Sequence, residues 1–234
     1  MKKHIMVLST VLLLLCPMNT VHAALLNDLF AGGSYQFNNL ILTNWELVSA
    51  DNVDVNNIAI DNGYFPNDFG VWSNNHELSV NQGGYGDPET LSLSFDFMVT
   101  GVGVNITQVA GDLGYRYVSG YDYDSPYITG SITVGTSQGS EDLGSCTDIF
   151  SLTQDPGTIW IDIPGGLNEI WVRNTIYLNS SSHGYAEAGY LSQYGEGPAF
   201  RNSFVTTPVP SAILLFGSGI ACLAGIRLRQ KLLN

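Results

Sequence analysis

Oxygen donors crowd the stretch DNVDVNNIAIDNG, which carries Asp51, Asp54 and Asp61 among Asn52, Asn56, Asn57 and Asn62. Carboxylate and amide oxygens are the ligands Ca2+ collects, roughly six to eight at a time. The three aspartates are therefore candidate ligands for a structural Ca2+, although the spacing is not that of an EF-hand loop. The plain alternative is turn chemistry, because Asp and Asn stabilise tight loops without any ion. Asp122 and Asp124, in YDYD, form a thinner candidate of the same kind.

A second cluster is aromatic. GYRYVSGYDYDSPY places Tyr115, Tyr117, Tyr121, Tyr123 and Tyr127 close together with Arg116 and two aspartates. Exposed tyrosine rings can stack on sugar rings while aspartates accept hydrogen bonds from sugar hydroxyls. Tyr121 and Tyr123 are the candidate glycan-binding residues. Against this stands packing within a sheet, where alternating tyrosines pair across strands.

Catalytic chemistry has little to draw on. The central region holds only His76 and His183, and neither lies in a nucleophile-elbow or H-E-x-x-H pattern. Cys146 is the one central cysteine, so it has no intrachain disulfide partner and no cysteine-based zinc site. The expectation is a protein that is not an enzyme. An exported hydrolase using two of the many carboxylates is the remaining alternative.

Charge narrows the partners. Between Ala24 and Thr207 the only cations are Arg116, Arg173 and Arg201, and all 21 carboxylates of the chain lie there. Three cations against 21 anions leave −18 on that span, more negative than the whole-chain −13. Nucleic acid is excluded as a partner, because phosphate binding needs clustered Lys or Arg. Divalent cations and neutral glycans are compatible with this surface.

The elements that must carry these residues are strands. In TLSLSFDFMV, Leu91, Leu93, Phe95, Phe97 and Val99 alternate with Ser92, Ser94 and Asp96, the period of a half-buried strand. GVGVNIT, TIWIDI and NEIWVRNTIYL continue the pattern, with Pro164-Gly165-Gly166 expected as a turn. WELVS, Ile58–Ile60, ELSV, GYRYV and ITGSITV are weaker candidates. No central segment sustains helical periodicity. Short strands divided by Gly, Asn, Asp and Ser predict an all-β fold, an antiparallel β-sandwich with a jelly-roll-like order, over residues 24–199. A closed barrel is the runner-up. Residues 200–207 lose the alternation and are expected to form a linker.

Both ends differ from the middle. Lys2 and Lys3 precede an apolar run from Ile5 to Leu15, and Val21-His22-Ala23 supplies small residues for cleavage after Ala23. Residues 1–23 therefore have the features of a signal peptide, with signal peptidase as a partner. At the other end, Pro208-Val209-Pro210-Ser211 precedes an apolar run from Ala212 to Ile226, and Arg227, Arg229 and Lys231 follow. Cations beyond an apolar run mark the cytoplasmic side of a single transmembrane helix.

These three ordered C-terminal parts resemble the PEP-CTERM sorting signal, in its VPLPA-like variant, where an aliphatic residue stands between the prolines. Here that residue is Val209. The resemblance covers residues 208–231, about a tenth of the chain. It implies a Gram-negative bacterium and an exosortase that recognises the proline motif and cuts near it. It also implies release or re-attachment of the protein at the cell surface or in a biofilm matrix rich in exopolysaccharide. The expected function is thus an exported surface or matrix protein with a structural or interaction role. A carbohydrate-binding module, with or without calcium, is the alternative. An unprocessed single-pass anchor is the plain alternative for the tail.

Overall fold

The computed structural model describes residues 23–62, 68–73, 77–80, 87–120, 126–153, 157–181, 184–192 and 195–209. Two six-stranded sheets dominate. One, sheet A, contains β1 (Ala24–Leu25), β4 (Ile58–Asn62), β5 (Asp68–Ser73), β8 (Val104–Leu113), β12 (Ile159–Leu167) and β17 (Phe200–Pro208). Their order across the sheet is β1-β4-β5-β17-β8-β12. The other, sheet B, contains β2 (Tyr35–Phe37), β3 (Leu40–Asp51), β7 (Thr90–Gly101), β10 (Tyr127–Gly135), β11 (Gly144–Ser151) and β13 (Glu169–Asn179), in the order β11-β10-β13-β7-β3-β2. The pairings in both sheets are antiparallel. The fold class is all-β, as the period-two pattern predicts, and the two sheets stay open rather than closing into one barrel.

The sheets face each other across one apolar core. Phe69 of sheet A lies 5.5 Å from Phe97 of sheet B, and Phe37 of sheet B lies 6.2 Å from Phe204 of sheet A, ring centre to ring centre. Trp45 stacks on Phe97 at 4.7 Å and meets Phe69 edge-on at 6.4 Å. The five apolar residues of TLSLSFDFMV all point into this core and are buried. Burying a side chain of that size is worth about 1.5–3 kcal/mol relative to leaving it in water.

Three smaller elements decorate the sandwich. A five-residue helix, α1 (Leu26–Phe30), tucks Leu26 and Leu29 against the core. Strands β6 (Ser79–Val80), β9 (Arg116–Ser119) and β14 (Tyr185–Ala188) form a third sheet in the order β6-β14-β9. Strands β15 (Tyr190–Ser192) and β16 (Gly195–Gly197) form a hairpin.

Two sequence expectations are corrected. Residues 200–207 are not a linker but most of β17, held between β5 and β8 near the middle of sheet A. Its inward face is Phe200, Asn202 and Phe204, all buried, and the polar member hides the apolar alternation. Pro164-Gly165-Gly166 does not end its strand either. It forms an irregularity inside β12, where pairing resumes at Leu167 opposite Ile106. Gly165 and Gly166 adopt φ of +76° and +65°, a conformation that favours glycine.

The sandwich has two distinct ends. At one, β7 passes from sheet B to β8 of sheet A through Gly101-Val102-Gly103, and β12 passes to β13 through Asn168. A Cβ on Gly101 would sit 2.4 Å from the Val104 carbonyl oxygen, so only glycine permits this crossing. At the other end lie the start of β7, the end of β13 and the third sheet.

Candidate functional site

The aspartates of DNVDVNNIAIDNG do not converge. Asp51 ends β3 opposite Ser92, and Asp61 lies in β4 opposite Gly70. Asp54 caps a 3-10 turn over Val55–Asn57: one carboxylate oxygen, Oδ1, accepts from the Asn56 backbone N–H at 3.0 Å and from the Asn56 amide at 2.7 Å. The backbone N–H of Asp54 donates to Glu77, whose other oxygen accepts from the Asn57 amide at 3.2 Å. This is the turn chemistry of Asx residues. Among the described residues no group of three or more His, Cys, Asp or Glu could hold a metal ion.

Tyr121 and Tyr123 lie outside the described residues. The flanking tyrosines of the same stretch divide between two roles. Tyr127 pairs with Tyr177 on the neighbouring strand at 5.8 Å, as packing within a sheet requires. Tyr117, on β9, is instead 49% exposed, and its ring lies 5.9 Å from that of Tyr185 on β14. Register places Glu187 directly opposite Tyr117. The Tyr185 hydroxyl donates to Glu187 Oε2 at 2.6 Å. Burial, then the adjacent Glu187 carboxylate, pushes the Tyr185 phenol well above its usual range, so it stays a neutral donor. The result is an exposed aromatic face backed by a fixed phenol and a buried carboxylate. Such a surface can stack on a sugar ring. The short alternation Tyr185-Ala186-Glu187-Ala188 in the sequence was the available signal for β14, and it is too brief to stand out.

A second aromatic platform sits on the edge of sheet A. Trp160 of β12 is 46% exposed, and two register positions further along Gln108 donates to Asp162 at 2.7 Å. Trp160 and Asp162 alternate with the buried Ile161 and Ile163 and so stand on the outer face of the strand.

Arg116 serves the fold rather than a ligand. Its guanidinium lies 5.1 Å from the centre of the Phe150 ring and donates to the carbonyls of Leu113 and Gly114 at 2.5 and 2.9 Å. Nearby, Arg201 pairs with Asp112, and Arg173 grips Asp96 through two hydrogen bonds of 2.6 and 2.9 Å. All three cations between Ala24 and Thr207 are thus engaged within the protein.

The described sheets begin and end close to the boundaries expected for the two terminal segments. β1 begins at Ala24, directly after Ala23, the residue expected before the cut. At the other end Pro208 closes β17 opposite Val104, and the Val209 N–H donates to the Gly103 carbonyl at 3.1 Å. Pro210, Ser211, the apolar run and Arg227, Arg229 and Lys231 lie outside the described residues. Among the described residues no helix is long and apolar enough to cross a membrane.

No protein-family model matches the chain, and no curated protein matches it. Among solved structures, TmCBM61 in complex with beta-1,4-galactotriose is similar at a TM-score of 0.32 and 10% identity, over 69% of this chain and 88% of that one. The enzymatically active domain of tailspike protein 4 of bacteriophage CBA120 is similar at a TM-score of 0.25 and 11% identity, over 70% of this chain and 20% of that one. Similarity this distant carries no argument about ligand or activity.

Proposed function

We propose that the chain is an exported surface or matrix protein, non-enzymatic, whose β-domain is delivered by two removable terminal addresses. One observation carries this reading. Among the described residues the first strand starts at Ala24 and the last ends at Pro208, so the described sheets occupy the interval between the expected signal peptide and the sorting segment and overlap the latter by one residue. Of the two addresses, only Pro208 enters a strand of the described sheets. Signal peptidase would act after Ala23, and an exosortase near Pro208–Ser211, while the apolar run holds the intermediate in the inner membrane. The test is a chain ending at Val209, expressed in its own host. It should leave the envelope fraction for the soluble or extracellular fraction. Retention in the envelope, equal to that of the full chain, would remove the role given to the tail.

Attachment to exopolysaccharide is the second reading, and Tyr117 favours it. A half-exposed ring beside Tyr185 and Glu187 presents both a stacking face and a hydrogen-bonding edge. The acidity of the domain points to neutral sugars rather than acidic ones, since like charges repel across a shared surface. A glycan array with the purified domain tests it.

A further inference from the structure

We infer that, while the tail spans the membrane, the domain stands directly on the bilayer through the end built by Asn38-Asn39, Gly101-Val102-Gly103 and Asn168, with Val102 in the head-group layer. The inference rests on the proposed reading of the tail as a transmembrane segment.

Three hydrogen bonds tie this end into one surface. The Val102 N–H donates to the Asn39 carbonyl at 2.8 Å, the Gly101 N–H to the Asn168 carbonyl at 2.7 Å, and the Val209 N–H to the Gly103 carbonyl at 3.1 Å. The last of these brings the departing chain onto the same surface. Only Pro210 and Ser211 separate Val209 from Ala212, the first residue of the apolar run. Three residue steps reach at most about 11 Å. The head-group region is roughly 5–8 Å deep on each side of the hydrocarbon. A folded domain tethered this closely has no room to stand clear of the membrane.

The surface chemistry matches that position. Asn38, Asn39, Gly101, Val102, Gly103 and Asn168 carry no charge. Val102 is 53% exposed, more than any other large apolar side chain among the described residues. Glu169 is the one carboxylate directly flanking these turns, at the first position of β13. Glu141 and Asp142, on the β10–β11 loop, stand at this end of sheet B as well, since Asp142 accepts hydrogen bonds from Thr136, next to Gly135, which pairs with Trp171. The far end is the more densely acidic one. Asp51 pairs with Ser92 there, Asp54 and Glu77 share the adjoining turn, and Asp87 and Glu89 precede β7. The 12 residues of β7 separate the two ends by about 36 Å. Screening in physiological salt acts over roughly 8 Å, so the far carboxylates are hidden from anionic lipid. A domain of charge −18 thus turns its less acidic end to the membrane.

The experiment uses the full chain, signal peptide removed and tail intact, in vesicles of phosphatidylcholine and phosphatidylglycerol. With Cys146→Ser and Cys222→Ser as background, an environment-sensitive fluorophore is placed at Val102→Cys or at Asp87→Cys. Lipids carrying a head-group nitroxide supply the quencher. The expected result is several-fold stronger quenching and a blue-shifted emission at position 102 relative to position 87. Equal quenching at the two positions, in protein that floats with the vesicles, would overturn the inference and leave the transmembrane tail standing. Protein that fails to float would overturn the tail reading, and the inference with it.

Discussion

Asn174 and Asn202 join the two sheets through the middle of the core by a reciprocal amide pair. The Asn174 amide donates to Asn202 Oδ1 at 2.6 Å, and the Asn202 amide donates back to Asn174 Oδ1 at 3.0 Å. Both residues are fully buried, on β13 and β17. Each satisfies the polar group the other would otherwise strand in an apolar interior. Asn174→Leu alone should therefore cost about 1–3 kcal/mol, because it orphans Asn202. For a domain of this size that is roughly 2–4 °C in Tm per kcal/mol. Asn174→Leu with Asn202→Leu should recover part of the loss. A double variant that loses as much as the two single variants combined would show that the pair does not act as a unit.

Phe200 fixes a second set of residues. An ideal Cβ at Gly130 would lie 2.4 Å from the Phe200 ring, and one at Gly111 2.7 Å from it. The ring occupies the space that two glycines on facing sheets leave free. Gly130→Ala should destabilise by about 1–3 kcal/mol through overpacking. Adding Phe200→Leu should relieve the clash, so that the pair unfolds at a higher temperature than additive losses allow. Thermal unfolding of the three variants checks this.

Asp148 gives a pH dependence. It is 5% exposed and accepts a hydrogen bond from the Leu113 N–H at 3.3 Å. Burial raises its carboxyl above the usual carboxylate value, with Asp112 adding to the rise and the Leu113 hydrogen bond and Arg116 opposing it. A carboxyl raised in the folded state favours folding while it is protonated, and that contribution is lost as pH rises through the folded value. Asp148→Asn keeps an acceptor for Leu113 and has no charge to bury. The variant should melt higher than the parent at neutral pH, and the advantage should vanish below the ordinary aspartate pKa of about 3.9. An advantage independent of pH would contradict this cause.

Tyr117 tests the glycan reading. Truncating an anchoring aromatic at a binding surface costs more than about 1 kcal/mol, and about 1.4 kcal/mol is tenfold in affinity. Tyr117→Ala should weaken binding to a neutral polysaccharide about tenfold while leaving the melting temperature nearly unchanged, since the ring is half exposed. Tyr185→Phe should weaken it less, because the stacking surface survives. Unchanged binding by both variants would place the contact elsewhere, with Trp160 the next residue to remove.

How far the sequence disclosed all this depended on which faces each strand buries. β7 was legible because five apolar residues alternate inward, even though Ser94 and Asp96 on the other face are also covered. β5 was not, because DFGVWS is buried nearly throughout: Pro198 lies against Gly70 on one face while Phe69 and Val71 fill the core on the other. β17 was mistaken for a linker because Asn202 stands at an inward position, and only its partner on β13 explains why. The tyrosine-rich stretch was recognisable as a cluster. That Tyr117 would meet Tyr185 depended on a two-strand pairing between segments far apart in the chain, which spacing alone does not encode.

The central claim is that both ends are addresses removed from the folded domain. Intact mass spectrometry of the protein from its native envelope and from the medium tests it most directly. The account predicts a chain that begins at Ala24 and ends within or just after Pro208–Ser211, with any added mass at the new C-terminus identifying an anchor. A chain that begins at Ala24 but still runs through Asn234 in the envelope would contradict it, and would make the tail an ordinary single-pass anchor.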